Sequence, residues 1–446
     1  MSCSAPMPPR MWSSAPKPQR ICGSDPSNSV VTEGSGARSL RDSVLAFGVQ
    51  TFGSHYSDRC RPPSETVAHM RRLLAEFGIT RLARLTGLDH LGVPVWSAIR
   101  PNSRTLAQSQ GKGVDDPSAM ASAVMEAVEV ATAERDDLPS RRGTRSEFRA
   151  AGWATETADI LLRGGAEPLG ENDETNWLEG EDLLTGVKTL VPYEAVAFSE
   201  NPEAARYWQS SDGLASGNTI WEAVLHGLCE RIERDASTLW LLRTDDEIRD
   251  RCVDPSSFDD PVVDALIARV DRAGLQMRLF DASCDTGVPV YGAFLSPIAD
   301  GGETDWKHFD LSSGWGCHPT PLRAALRALT EAAQTRLTTI SAARDDFNPR
   351  RYYEPLHPDL LVYPRSIPRR IEGLEAGAGV EPDRLLPQLL GNLARVGVPS
   401  VIAVPLEQGA RGFAVARVLV TGLESPPGDR TAPYGARVVK FAQARR

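Results

Sequence analysis

The chain has 446 residues, of which 41% are hydrophobic, so it can build one large or two ordinary domains with a substantial core. Its formal net charge of −10 argues against nucleic-acid binding over a broad basic surface. The seven cysteines include no C-x-x-C pair, which leaves no recognisable zinc knuckle or disulfide framework and indicates the reducing cytoplasm.

The first 43 residues are rich in Ser, Pro and Gly and lack the apolar core of a signal peptide. We therefore predict a disordered tail over residues 1–43 and a folded domain over residues 44–446. No apolar run approaches the roughly 18 residues of a membrane span, so we expect no membrane partner.

Apolar residues at helical spacing predict a helix over 64–77 that ends at Gly78, followed by two strands between 79 and 99. A second helix is predicted from Asp116, which can cap it, with Pro117 at the first helical position. Residues 139–185 are polar and indicate loops with short helices. LVPYEAVAF then predicts a strand before the next long helix.

The second half begins with a predicted helix near 260–273 and strands in QMRLFDAS, VPVYGAFLS and KHFDLSS. A glycine turn, GWGCHPT, is expected to open a third long helix at Pro321. After a Pro-rich connection near 347–370, the C-terminal α/β portion, 371–446, shows the helix DRLLPQLLGNLARVG and the strands VPSVIAVPL and FAVARVLVTGL. This mixed order predicts an α+β fold rather than a doubly wound parallel sheet.

Three of these helices carry a small polar or basic side chain and then carboxylate or amide side chains on one face, three or four residues apart or at multiples of a turn. The sets are Ser122, Glu126 and Glu129; Asn218, Glu222, Glu230 and Glu233, followed by Arg234; and Arg327, Glu331 and Gln334, with Arg336 nearby. Each helix follows a glycine-containing segment, SQGKG, GLASGN or GWGCH. Like charges at this spacing cost an isolated helix about 0.2–0.5 kcal/mol per pair, so a compensating ligand is expected.

Clustered carboxylates suit hard divalent cations, and Mg²⁺ characteristically bridges carboxylates to nucleotide phosphates. Glycine loops and helix N-termini supply backbone donors for phosphates, and arginines and Lys112 can balance the remaining phosphate charge. The pattern thus predicts a nucleotide site walled by three helices, in which the acids hold the metal.

Structural explanations exist for individual residues. Thr219-x-x-Glu222 is also a capping box, Glu230 can pair with Arg234, and Glu233 can simply be solvated. For one helix alone these explanations are favoured, and the threefold recurrence reverses the preference. We expect His226 to be a packing or surface residue.

Other nucleotide and metal motifs do not fit. Gly111-Lys112 is followed by glycine, which departs from a P-loop. None of the glutamates has a histidine three residues on, as a di-iron carboxylate bundle requires. Cys229 and Cys317 are expected to be structural thiols.

The three segments SQGKGVDDPSAMASAVMEAVE, GLASGNTIWEAVLHGLCERIERD and GWGCHPTPLRAALRALTEAAQTR, within 109–336, resemble the ATP-site segments of the YcaO family. The resemblance implies a YcaO-like α+β fold with mixed and antiparallel sheets, ATP and Mg²⁺ as cofactors, and a homodimer. It also implies ATP-dependent phosphorylation of a peptide backbone amide oxygen, which needs no enzyme nucleophile, so no catalytic side chain is assigned. Val130 stands where the family often has arginine.

By the same resemblance, and for Lys112 by the charge argument above, two groups of site residues are expected. The nucleotide-binding residues are Lys112, Ser122, Glu126, Asn218, Glu222, Arg234, Gln334 and Arg336. The Mg²⁺ ligands are Glu129, Glu230, Glu233 and Glu331.

The nucleophile distinguishes the subfamilies. The chain ends in GARVVKFAQARR, without the P-x-P-x-P tail of azoline-forming members. TGLDHLGVPVWSAIRPNSRTLAQSQGKG and TTISAARDDF look similar to members paired with TfuA, a partner associated with thioamidation. We therefore expect thioamide formation on a peptide or protein, with a TfuA-like partner and a possible leader-binding protein. Azoline formation, amidine formation and a non-catalytic ATP- or peptide-binding scaffold are the alternatives.

Overall fold

A computed structural model describes residues 39–45, 56–199, 201, 204–298, 305–342, 344, 348–374, 380–426 and 434–445. Residues 1–38 of the predicted tail, 1–43, lie outside these ranges. Residues 40–43 of the predicted tail lie in the first helix. Residues 39–446 form one unit by their contacts.

The helices of the described residues include three long ones, which carry the three predicted sets of polar and acidic side chains, here called the stripes. The bounds are α1 Leu40–Leu45, α2 Pro63–Met70, α3 Asp116–Ala133, α4 Arg145–Ala150, α5 Tyr193–Val196, α6 Ile220–Trp240, α7 Asp245–Asp250, α8 Pro261–Arg272, α9 Pro321–Ser341, α10 Val362–Arg365, α11 Pro382–Arg395 and α12 Ala436–Gln443. The long helices are α3, α6 and α9. Asp115, one residue before the expected cap, accepts the backbone N–H of Ser118 at 2.8 Å and so begins α3.

The strands of the described residues form three sheets. The bounds are β1 Arg81–Arg84, β2 Val95–Ile99, β3 Gln108–Lys112, β4 Ser140–Gly143, β5 Ala154–Thr155, β6 Thr175–Asp182, β7 Lys188–Pro192, β8 Leu214–Gly217, β9 Cys252–Val253, β10 Leu275–Asp281, β11 Val290–Pro297, β12 Ser312–Cys317, β13 Ser400–Gln408 and β14 Ala414–Thr421. The strand orders are β1-β2-β3, β12-β11-β10-β9 and β5-β7-β6-β13-β14-β8, with β4 also paired to β6. Within these sheets the pairings are antiparallel except β5-β7, which confirms the predicted α+β class.

Each long helix follows a strand at the edge of its sheet: β3 precedes α3, β8 precedes α6 and β12 precedes α9. The prediction that these glycine segments are loops is wrong for Gly111, Gly217, Gly314 and Gly316, which lie in β3, β8 and β12. A Cβ on Gly111 would come within 2.0 Å of the backbone N of Ala123, and one on Gly316 within 2.1 Å of the carbonyl O of Ala324. Glycine is needed because the helix backbone lies directly on the strand.

Other differences also follow from long-range pairing. The polar region 139–185, expected to be loops and short helices, contributes β4 and β6, and β6 is stabilised by β7 and β13. The first expected helix ends early, at Met70, and KHFDLSS forms a short 3₁₀ turn over His308–Asp310, after which its two serines begin β12. The expected helix near 260–273, the helix DRLLPQLLGNLARVG and the two C-terminal strands are confirmed as α8, α11, β13 and β14.

The largest apolar cluster surrounds α6, which is buried on nearly all sides. Trp221 and Trp240 are almost fully buried at its two ends. Charged side chains on α6 therefore point into protein rather than into solvent, and each needs an internal partner. Among the described residues, no helix combines the length and apolarity needed to cross a membrane.

A candidate nucleotide and metal site between three helices

Five glutamates from α3, α6 and α9 meet in one acidic cluster. They are Glu126, Glu129, Glu230, Glu233 and Glu331, and their charges act on one another. The packing of each helix onto its edge strand brings these three faces together. The five glutamates include all four expected Mg²⁺ ligands and one expected nucleotide-binding residue, Glu126.

Glu129 is held by the strand that precedes α6. The backbone N–H and the hydroxyl of Ser216 both donate to its Oε1, at 2.8 and 2.6 Å. Burial nevertheless raises the pKa of Glu129 to about 8, and the charges of Glu126 and Glu230 add to the rise. The cluster is therefore short of positive charge around this carboxyl.

Glu126 and Glu230 show the same shortage. Burial raises the pKa of each carboxyl to about 7, against the lowering effect of nearby guanidinium groups. Arg344 is the main opposing charge for Glu126, and Arg234 is the main one for Glu230. A bound cation would stabilise the charged form of both carboxyls.

Arg234 is the principal cation of the α6 face. Its guanidinium contacts Asp212 at 3.0 Å, Glu230 at 3.3 Å and Glu233 at 3.5 Å. These carboxylates raise the pKa of Arg234 against the effect of burial. The side-chain pair of Glu230 with Arg234, considered above as a structural alternative, is thus present within the cluster.

Glu233 and Glu331 couple α6 to α9. Burial and the charge of Glu331 raise the pKa of Glu233, whose side chain is only 5% exposed. Against burial, Lys112 from the end of β3 holds the pKa of Glu331 below its ordinary value by a direct salt bridge. Lys112 therefore lies at the cluster.

Glu222 lies apart from the other acids. It is 2% exposed, and its carboxylate accepts the Asn218 backbone N–H at 2.8 Å, the Asn218 side-chain amide at 3.0 Å and the Cys60 N–H at 2.8 Å. Thr219 accepts the Glu222 N–H at 3.3 Å, which is one half of the capping box considered above. Arg59 completes the set at 3.1 Å, and together these donors hold the pKa of Glu222 below its ordinary value against burial.

The remaining expected site residues differ in position. Ser122 lies one turn before Glu126 on α3. Gln334 donates to the carbonyl of Gln110 in β3 at 3.3 Å and so ties α9 to the first sheet. Arg336 lies outside the cluster, where its Nε donates to Asp89 at 3.0 Å, because five residues after Glu331 the helix has turned away.

The donor set fits a metal that is shared with a polyanion. Among the described residues, no three acidic, histidine or cysteine side chains are close enough to hold a metal alone. Mg²⁺ usually takes one or two carboxylates and completes its shell with phosphate oxygens and water. The pKa values of Glu129 and Glu230 are raised, and Lys112 and Arg234 supply positive charge to the same cluster, which matches such a shared arrangement.

Sequence reasoning missed three residues at the site, Asp212, His226 and Arg59. Asp212 fixes Arg234, and His226, expected to be a packing or surface residue, lies between Arg59 and Arg327. Arg327 was visible on the third stripe because it precedes Glu331 by four residues. Arg59 has no such signal, since it is contributed by a segment 163 residues away from Glu222. Cys229 and Cys317 are buried, as expected of structural thiols.

Fold and site together define an α+β protein with a cluster of buried and half-buried carboxylates between three helices. The family model described as YcaO cyclodehydratase, ATP- and Mg²⁺-binding, matches residues 110–424. The chain belongs to the YcaO family, and the expected cofactors, ATP and Mg²⁺, are those of this family.

One similar protein comes from a tfuA region. The chain is 39% identical, over 86% of its length and 93% of the relative's, to an uncharacterised protein of the tfuA 3′ region in Rhizobium leguminosarum bv. trifolii.

Two solved structures share the fold. YcaO from Methanopyrus kandleri, solved with AMPPCP and Mg²⁺, superposes with a TM-score of 0.63 at 25% identity, over 85% of this chain and 94% of that one. A heterocyclase in complex with substrate and cofactor superposes with a TM-score of 0.67 at 20% identity, over 83% of this chain but 53% of that chain.

Proposed function

We propose that this protein uses ATP and Mg²⁺ to activate a peptide backbone amide by O-phosphorylation, for thioamide formation with a TfuA-like partner. A sulfide donor adds to the amide carbon, and the amide oxygen takes the terminal phosphoryl group of ATP. The C–O bond then breaks, phosphate and a proton leave, and a C=S bond replaces C=O. No electron transfer is needed, and the products are the thioamide, ADP and phosphate.

The observation that carries the proposal is the acidic cluster between α3, α6 and α9 in a YcaO chain. We assign the metal to Glu129, Glu230, Glu233 and Glu331, which lose their mutual repulsion when they share a cation. Bound Mg²⁺ would supply charge stabilisation for the transferring phosphoryl group.

The other expected residues receive roles from their contacts. Lys112 and Arg234 form salt bridges with carboxylates of the cluster, and we assign both to the phosphates of ATP. Asn218 and Glu222 fix the start of α6, and Gln334 holds α9 against β3. The roles of Ser122, Glu126 and Arg336 in nucleotide binding rest on the family resemblance.

The thioamide outcome is supported by the relative encoded in a tfuA region, which matches most of this chain. Azoline formation is the second candidate, because the family model is described as a cyclodehydratase and a heterocyclase shares the fold. The two reactions differ in the atom that replaces the amide oxygen. Thioamidation adds the mass difference between sulfur and oxygen, whereas cyclodehydration removes one water.

The test is intact-mass analysis of a candidate peptide, encoded near this gene, after incubation with the protein, Mg·ATP, sulfide and a TfuA-like partner. The oxygen-to-sulfur mass gain, abolished by Glu233→Gln but kept by Glu65→Gln at an exposed position of α2, is expected. Loss of water would replace thioamidation by cyclodehydration. Unchanged peptide and unconsumed ATP with the wild type would overturn the enzymatic proposal in favour of a scaffold.

A further inference from the structure

β12 lies at one edge of its sheet, and among the described strands it pairs with β11 alone. His318, directly after β12, donates its N–H to the carbonyl of Pro289 at 3.2 Å. Because hydrogen-bonded and non-hydrogen-bonded pairs alternate along antiparallel strands, the even-numbered residues of β12 bind β11. The main-chain N–H and C=O groups of the odd-numbered residues point away from β11. These residues are Ser313, Trp315 and Cys317.

The outward main-chain groups have no hydrogen-bond partner within the part of the chain that the structure describes. Ser313 and Trp315 are half-buried, whereas Cys317 is fully buried. Main-chain polar groups that lose water without gaining a partner destabilise a fold, so nearly all of them bind something. The outward groups of Ser313 and Trp315, here called the free edge, are therefore suited to bind an added strand.

The free edge runs between α6 and α9. On the α9 side, a Cβ on Gly314 would lie 2.6 Å from the backbone carbonyl carbon of Glu331, so the turn that carries this glutamate lies directly on β12. On the α6 side, the rings of Trp315 and Trp240 meet edge to face with their centroids 6.3 Å apart. Two of the three helices that supply the acidic cluster thus flank the free edge.

The far end of β12 reaches the acidic cluster. The thiol of Cys317 shares a hydrogen bond with that of Cys229 on α6, and the charge of Glu233 acts on it. A strand rises about 3.3 Å per residue, so Ser313 and Cys317 are about 13 Å apart. An extended chain of about five residues on this edge would therefore reach from the free edge to the cluster.

Apolar side chains lie near the start of β12. The glycines of β12 meet earlier residues of α9 as the strand advances, so α9 runs opposite to β12 and its last turn lies near the start of the strand. Ile340 in that turn is 38% exposed, and Leu241, which follows Trp240 at the end of α6, is 60% exposed. Both can contact the side chains of an extended peptide.

We propose that the peptide substrate binds to the free edge as an added β-strand, which carries its backbone amide between α6 and α9 to the acidic cluster. This inference rests on the proposed function, because it states how the substrate of that reaction is held. Main-chain hydrogen bonds give an added strand its affinity, and contacts to alternate side chains give it specificity. Recognition through the backbone suits a reaction that changes a backbone amide.

The first test uses the wild-type protein and the candidate peptide of the mass assay, with Mg·ATP, sulfide and the TfuA-like partner. Synthetic versions of the peptide each carry one N-methyl group, at successive residues on either side of the modified amide. Only every second N–H of an added strand faces β12. We expect N-methylation to raise the KM of the peptide about tenfold at every second residue, the loss typical of one hydrogen bond, and to leave the residues between them unaffected.

The second test removes a donor from the protein. Ser313→Pro deletes the outward N–H of the free edge, and an edge strand tolerates proline where the N–H faces away from its neighbour. The matched control is Ser140→Pro, at an exposed outward position of β4 in another sheet. We expect Ser313→Pro to raise the KM of the peptide about tenfold without changing that of Mg·ATP, and Ser140→Pro to match wild type. Thermal unfolding shows whether each variant is folded, and the N-methyl series decides if Ser313→Pro is not.

Three results would overturn the inference while the proposed function stands. The first is an equal KM for every N-methyl peptide that the wild type modifies. The second is a Ser313→Pro variant that raises the KM of Mg·ATP instead, because the free edge would then bind the nucleotide. The third is an equal rise in both proline variants, which would trace the effect to sheet stability. A wild type that binds Mg·ATP but leaves the unmethylated peptide unchanged would overturn the proposed function, and this inference with it.

Discussion

Replacing Glu129 by glutamine should stabilise the ligand-free protein while it removes the response to Mg·ATP. Burial raises the pKa of this carboxyl from 4.5 to about 8, so at neutral pH folding must either protonate it or bury its charge. The glutamine Oε1 can keep both hydrogen bonds from Ser216, because both reach a single oxygen.

The expected gain follows from proton linkage. A carboxyl with a raised folded-state pKa loses stability as the pH rises from its unfolded pKa through its folded pKa, and glutamine does not. The free energy of unfolding should therefore rise by about 1 kcal/mol near pH 5 and by about 3 kcal/mol near pH 7. At neutral pH this corresponds to an increase of a few degrees in Tm.

The assay is thermal unfolding of wild type, Glu129→Gln and the exposed control Glu65→Gln, at several pH values, with and without Mg·ATP. Mg·ATP should raise the Tm of wild type and of the control but not that of Glu129→Gln. A ligand-free Glu129→Gln that is no more stable than wild type would refute the buried-charge reasoning. A retained Mg·ATP shift would refute the placement of Glu129 at the metal.

Three further predictions concern the same site. Arg234→Met should destabilise the protein by about 3–5 kcal/mol in urea unfolding, because it leaves buried carboxylates without their cation, while exposed Arg249→Met should stay within about 0.5 kcal/mol. Gly316→Ala should lower Tm and Mg·ATP affinity together, since its Cβ would collide with α9, whereas Gly391→Ala in an open position of α11 should be neutral or stabilising by up to about 1 kcal/mol. Mg·ATP binding should release protons between about pH 6 and 8, because the carboxyls with pKa values of about 7 and 8 must ionise when the metal binds. Calorimetry in buffers of different ionisation enthalpy measures this release, and it would show none if the carboxyls stay protonated.

Several features followed from local sequence alone. The 3.6-residue period placed the glutamates of α3, α6 and α9 on single faces, and the recurrence of that pattern indicated a shared ligand. Alternation and turn residues indicated β10, β11, β13 and β14 and with them the α+β class. These signals are visible because each depends on residues within a few positions of one another.

The tertiary structure decided what distant residues do together. Glycine between polar residues indicated loops, but close helix-on-strand packing makes those segments edge strands. Glu222 shares the stripe of Glu230 and Glu233, yet Arg59 and Cys60 separate its role from theirs. Burial, which sets the pKa of Glu129 and leaves Arg327 short of an acceptor, depends on the packing of the whole chain, and no local pattern encodes it.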